Sequence, residues 1–252
     1  MSLLTAAGVS KSFAGIRALD DVGIEVAVGE LVGLIGPNGA GKTTFFNCLL
    51  GMLRPDEGTV SFDGHDLSRI PTHRRAKLGI GRTFQRIELF GGMSVREHLL
   101  VAERAHRGEG RLWKDIVGRG RVTAAERERA DAVLDRLGLL ADAERPIESL
   151  SLGRGRLVEI GRALMTDPRL LLLDEPSSGL DHQETEELSA VLRAVNLDEG
   201  VAILLVEHDV AMVRALVSRV FVLDFGTLIA SGPTETVFAD DGVRRAYLGA
   251  ES

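Results

Sequence analysis

The sequence predicts an α/β fold with a mostly parallel sheet, an antiparallel β part and a helical subdomain. Three observations carry that expectation. Short apolar runs alternate with amphipathic stretches along most of the 252 residues, the pattern of parallel strands joined by crossover helices. From Val95 to Leu140 a charged helical pattern replaces it, with Ala130, Val133, Leu134 and Leu137 on one helix face. Near the end, Val220–Leu223 and Thr227–Ala230 flank Gly226 as an antiparallel hairpin.

In chain order, Leu31–Ile35 is a buried strand, a glycine-rich turn follows, and Lys42–Leu50 is a helix. The charged middle holds two helices with an Arg/Gly-rich stretch, Arg104–Arg121, between them. That stretch reads as a solvated loop or as a docking surface for a partner or lipid headgroups. Leu170–Leu173 and Val201–Val206 are two further buried strands, apolar at every position as central parallel strands are. Residues 1–252 form one domain on this reading, its core at about 1–89 and 149–252 and its helical subdomain at about 90–148.

Composition narrows the class. Lys+Arg 30 against Asp+Glu 37 leaves a net charge of −7, which argues against a nucleic-acid partner. The single cysteine, Cys48, excludes internal disulfides and cysteine-rich zinc sites and fits a reducing cytoplasm. No apolar run approaches the roughly 20 residues that span a bilayer. Met1–Val9 lacks the charged and apolar regions of a signal peptide. A role at a membrane would therefore run from the water side, through a partner.

Gly36-Pro37-Asn38-Gly39-Ala40-Gly41-Lys42-Thr43 matches G-x-x-x-x-G-K-[ST] between a predicted strand and a predicted helix, the signature of a P-loop nucleotide-binding core. Backbone amides must converge on phosphate oxygens there, and a Cβ at the tightest positions would obstruct them. The helix N-terminus adds positive potential. Lys42 supplies a charge to the β- and γ-phosphates, the Thr43 hydroxyl suits Mg²⁺, and Thr44 is placed to reach the α-phosphate. A chance glycine turn is the competing reading, and eight fitting positions with the required flanks speak against it. The absence of an Asn-Lys-x-Asp tetrapeptide argues against a GTPase.

Asp174-Glu175 ends the apolar run Leu170–Leu173, and ligands in such sheets sit beyond the carboxyl ends of the strands. Asp174 is then suited to hold Mg²⁺, and Glu175 to deprotonate the attacking water. On its own the tripeptide Asp-Glu-Pro could instead cap a strand and turn the chain. Together with the phosphate loop, it points to Mg²⁺-dependent hydrolysis of a nucleoside triphosphate.

Four further segments complete an ordered set: Arg82-Thr83-Phe84-Gln85, Leu150-Ser151-Leu152-Gly153-Arg154, Ser178-Gly179-Leu180-Asp181 and Val206-Glu207-His208-Asp209. The set resembles the ATP-binding subunit of ABC transporters over essentially the whole chain. The resemblance implies ATP as the nucleotide and a second ATP-binding subunit, homologous or identical, as partner. It implies that Ser151 and Gly153 of the signature segment contact ATP held by that partner, with Asp181 at the dimer interface. It implies that Gln85 senses Mg²⁺ and water, that His208 contacts the γ-phosphate, and that Phe13 stacks on adenine where the family usually has Tyr. Phe13 as a core residue is the competing reading. Leu152 and Arg154 depart from the family's Leu-Ser-Gly-Gly-Gln.

Arg82–Gln85 with Leu89-Phe90, the long insert before the signature and the ending Arg245-Ala246-Tyr247-Leu248-Gly249 look like the branched-chain amino-acid importer type. That likeness implies transmembrane permease subunits, a solute-binding protein acting through them, and a peripheral place on the cytoplasmic side of the inner or plasma membrane. Urea or short-chain amide importers share these features. A soluble ABC ATPase of iron–sulfur cluster assembly is a second class. DNA-repair members need long coiled coils or zinc cysteines, which this chain lacks.

Overall fold

The computed structural model describes residues 1–83, 90–107 and 122–248. The parallel strands form a six-stranded sheet from β3 (Leu31–Ile35), β6 (Ile80–Arg82), β7 (Leu170–Asp174), β8 (Ala202–Val206), β9 (Arg219–Asp224) and β10 (Thr227–Pro233). Their order is β10-β9-β3-β8-β7-β6, antiparallel only where β10 pairs with β9. Every residue of β3, β7 and β8 is buried, because both faces of the sheet are covered.

A second, antiparallel sheet stacks on one of those faces. It contains β1 (Ser2–Phe13), β2 (Ile16–Ala27), β4 (Glu57–Phe62) and β5 (His65–Asp66) in the order β2-β1-β4-β5. The sequence reading expected an antiparallel part but resolved only the late hairpin. β1 and β2 are joined by the two-residue turn Ala14-Gly15, with positive φ at both positions, as a tight hairpin needs. Register shifts along β1 break the period-2 alternation that would have announced it.

Helix α1 (Lys42–Leu50) lies between the sheets. Phe45, Phe46, Cys48 and Leu49 fill one core with Val32, Leu34, Leu170, Leu172, Leu204 and Val206 on one side and Leu4, Val9, Val22 and Phe62 on the other. The alternate strand residues Leu31, Ile35, Leu171, Leu173, Ile203 and Leu205 face the opposite core. There they meet α5 (Leu152–Leu164), α6 (His182–Glu199) and α7 (Val210–Leu216).

The C-terminus of α1 ends on a buried cation. Arg75, from α2 (Thr72–Lys77), donates to the carbonyls of Leu49 (2.6 Å), Cys48 (3.2 Å), Leu67 (2.6 Å) and Ile70 (2.8 Å). The Leu49 carbonyl lies in the open last turn of α1, while those of Cys48 and Leu67 also accept from the Gly51 and Ile70 amides. Arg75→Ala will cost about 3 kcal/mol in urea unfolding, because it strands buried acceptors. Arg75→Lys will recover little of that, since one ammonium cannot reproduce the fork.

Helices α3 (Val95–Arg107) and α4 (Ala124–Arg136) pack on α5. Leu99 and Leu137 meet where Gly161 leaves no room for a Cβ, which would lie 2.8 Å from Leu137. Ala130, Val133, Leu134 and Leu137 are all buried, as their spacing predicted. The Arg/Gly-rich stretch needs correction at its start. Arg104 to Arg107 are the last turn of α3, where the Arg104 guanidinium holds Glu126 (Nε–Oε1 2.7 Å) and takes its carboxyl down to about 2. The rest of that stretch, 108–121, lies outside the described residues. The chain closes with α8 (Thr234–Ala239) and α9 (Asp241–Leu248).

Candidate nucleotide-hydrolysis site

The site forms at the carboxyl ends of β3, β8 and β7, three neighbouring strands of one sheet. β3 delivers the phosphate loop. Gly36 must be glycine, since a Cβ there would sit 2.0 Å from the Leu223 carbonyl oxygen. Gly41, the N-cap of α1, has φ +101° and a Cβ there would meet the Ala18 oxygen at 2.7 Å. The loop is pinned from outside: Gly226 N–H donates to the Ala40 carbonyl (2.9 Å) and Asp20 N–H to that of Gly226 (2.8 Å).

No side chain caps α1 and its first turn carries no acid, so its N-terminal amides are left for an anion. Residues 38–44 line, with Ala18 and Glu175, a pocket of about 210 Å³. Lys42 is buried and folds back, its Nζ donating to the carbonyls of Gly36 (2.6 Å) and Pro37 (3.0 Å). Burial pulls its pKa down, while Glu175 and Asp174 partly offset that.

Two carboxylates lie opposite. Asp174 closes β7, with 9% exposure, and burial raises its pKa to about 6, Glu175 and Glu207 adding to the rise and Lys42 opposing it. Glu175 turns the chain at φ +46°, a strained value for a side-chain-bearing residue, and its N–H donates to the Val206 carbonyl (2.9 Å). Ionised Asp174 therefore costs stability above its folded pKa. Asp174→Asn will stabilise the nucleotide-free protein by about 2–3 kcal/mol at pH 8. The gain will shrink as pH falls through about 6 and vanish only well below the ordinary aspartate value of 3.8, where the wild-type carboxyl is protonated both folded and unfolded. Urea unfolding of both proteins at pH 8 and pH 5 measures this.

Glu207 follows β8 and is fully buried. Its carboxylate accepts from the amides of Ser177 (2.9 Å), His208 (3.1 Å) and Asp209 (3.4 Å). It therefore stitches the segment after β7 to the segment after β8. The sequence reading assigned it no role, since a carboxylate after an apolar run gives no sign of being buried. His208 itself is exposed, with Nδ1 3.8 Å from Glu207 Oε2.

The structure brings Gly36–Thr44, Asp174, Glu175 and the His208 segment to one edge. Ser151, Gly153 and Asp181 do not line the phosphate pocket; Gly153, which is buried, and Asp181 are linked away from it through Glu184. Ser151 is the N-cap of α5, so residues 152–154 are its first helical turn. The Arg154 guanidinium is bound to the Asp142 carboxylate, which Arg145 also holds (2.8 Å). Asp181 caps α6. Phe13 ends β1, 44% exposed, with Lys11 Nζ 5.6 Å from its ring centre, and is not a core residue. Gln85 lies outside the described residues.

A glycine loop opening an uncapped helix, with a carboxylate on the opposite wall and β3 beside β8 and β7, defines a P-loop nucleoside-triphosphatase. The ABC transporter family model matches residues 19–178. The chain is 39% identical over 250 residues to the high-affinity branched-chain amino acid transport ATP-binding protein LivG of Salmonella typhimurium, covering 98% of each. Its fold superposes on the ADP conformation of MJ1267, an ATP-binding cassette of an ABC transporter, with TM-score 0.88, 32% identity and 99% of each chain covered. The dimeric structure of MJ0796, a bacterial ABC transporter cassette, matches with TM-score 0.76 and 26% identity, covering 92% of this chain and 99% of that one. This chain belongs to the ABC transporter family, as an ATP-hydrolysing subunit. Among the described residues no helix is long and apolar enough to cross a membrane.

Proposed function

We propose that this subunit powers an importer of branched-chain amino acids, docked on permease subunits at the cytoplasmic face of the membrane and fed by a solute-binding protein. The observation that carries hydrolysis is the pocket walled by the phosphate loop and Glu175. The cargo rests on the likeness to LivG. Residues 1–252 act as one ATP-binding domain, with residues 90–148 as its helical part.

Catalysis is positioning plus electrostatics. On ATP binding, Lys42 Nζ exchanges the Gly36 and Pro37 carbonyls for β- and γ-phosphate oxygens, and the amides of residues 38–44 hold the rest. Thr44 reaches the α-phosphate. Glu175 accepts the proton of the attacking water and His208 steadies the γ-phosphate. A Mg²⁺ ion fits beside them: burial and carboxylate neighbours raise Asp174 to about 6 even against Lys42, so a further cation there would be favoured, and the Thr43 hydroxyl stands at the head of α1. Gln85 completes that ligand set. Held by these residues, Mg²⁺ would neutralise phosphate charge. Ser151, Gly153 and Asp181 serve the nucleotide of a second subunit.

Phe13 stacks on adenine. Phe13→Ala will weaken ATP binding roughly 5- to 150-fold, the equivalent of about 1–3 kcal/mol. Phe13→Tyr will not weaken it, and neither will shift the melting temperature, since the ring is exposed. Nucleotide titration and thermal melts read both effects.

The cargo is tested by deleting the gene in its host and measuring uptake of labelled leucine, isoleucine, valine and urea. Loss of leucine uptake, restored by wild type and not by Lys42→Ala, is expected. Intact leucine uptake with loss of urea uptake would overturn the assignment.

A further inference from the structure

The N-terminus of α5 already holds an anion from its own chain. Gly153 is the second residue of that helix, and its N–H donates to Glu184 Oε1 at 3.1 Å. The other oxygen, Oε2, accepts from Asp181 N–H at 3.4 Å, and Glu184 N–H donates to Asp181 Oδ1 at 2.8 Å. One carboxylate on α6 thus bridges the two segments read as facing the partner's nucleotide. The contact is built in: a Cβ at position 153 would lie 2.8–2.9 Å from Glu184 Cδ, Cβ and Cγ, so the side chain lies flat against the glycine. The next amide of the turn, that of Arg154, goes to Ser151 Oγ at 3.4 Å.

A γ-phosphate arriving at this turn needs the Gly153 amide and carries the same sign of charge as its occupant. We propose that Glu184 is an internal competitor for that phosphate: it holds the Gly153 amide in the lone subunit and must release it for an ATP-loaded second subunit to close. The proposal rests on the reading that Ser151 and Gly153 act on the partner's nucleotide. Because the same carboxylate holds the Asp181 amide, release also frees the segment leading into α6. Closure would then shift both partner-facing segments in one event. Glu184 is a positioning residue here and touches no reacting atom.

The test uses the full chain carrying Glu175→Gln, which keeps ATP from being consumed. Sedimentation velocity over a protein series at saturating ATP and Mg²⁺ gives the dimer dissociation constant, with and without Glu184→Gln. The amide keeps the packing and an acceptor oxygen but removes the charge. The expected result is dimerisation about 10-fold tighter and less dependent on salt. ATP affinity of the monomer and melting temperature will stay unchanged. Glu184→Ala, which also loses the capping box of α6, will melt lower yet still dimerise more tightly. A purely structural role would lower the melting temperature and leave the dimer constant and its salt slope alone. If the Glu175→Gln protein dimerises with ATP and Glu184→Gln does not tighten it, the competitor role is overturned by itself. If the Glu175→Gln protein stays monomeric at saturating ATP, the in-trans reading and this proposal fall together.

Discussion

Glu175→Gln will bind ATP as the wild type does and lose turnover by about 10³-fold, within the range a positioned general base contributes. The substitution preserves shape and hydrogen-bond capacity while removing the basic lone pair. It also removes one negative charge facing Lys42 and Asp174, so the Asp174 carboxyl will relax downward from about 6. Binding is therefore expected to hold or improve while hydrolysis stops. Single-turnover phosphate release measures the loss, and nucleotide titration of the same protein separates chemistry from binding. Phosphate release near the wild-type rate would mean that Glu175 is not the base.

The second large effect is at Lys42. Lys42→Ala will weaken ATP binding by about 10- to 100-fold, the worth of one or two charge-assisted hydrogen bonds to phosphate. Turnover at saturating ATP will fall as well, because the same ammonium faces charge that grows during transfer. The fold will survive, since the buried ammonium bonds only loop carbonyls that open to the pocket. With Lys42 gone, Asp174 loses the one cation lowering its pKa and will titrate above about 6. Circular dichroism at pH 8 checks the fold, and steady-state hydrolysis over an ATP series checks the rest. Unchanged turnover at saturating ATP would remove Lys42 from the mechanism.

What was legible in the sequence follows from how local each signal is. β3, the loop and α1 came out with the expected bounds, because an apolar run, glycines demanded by close contacts and a helical stretch are all encoded within twenty residues. β7, β8 and the late hairpin were legible for the same reason. β1 and β2 were not, since their bulges and interleaved Asp, Ser and Lys erase the alternation. The start of α5 gave no helical signal: Gly153 and Gly155 disfavour a helix, and Ser151 lacks the acidic residue three positions on that completes a capping box. Arg75, Glu207 and Glu184 could not be read at all. Each owes its role to backbone groups brought in by folding, and no spacing in the chain announces a carbonyl or an amide in need of a partner.

The buried carboxylate of Glu207 has a mechanical consequence. Three amides from two loops hang on one side chain, so neither loop can move without pulling the other. The first runs through Ser177 toward Asp181, and the second carries His208. On the roles proposed for His208 and Asp181, a displacement of the imidazole would be passed across the sheet edge to the segment proposed to face another subunit. Glu207 works as a linkage rod, and its lack of exposure keeps water from loosening the joint.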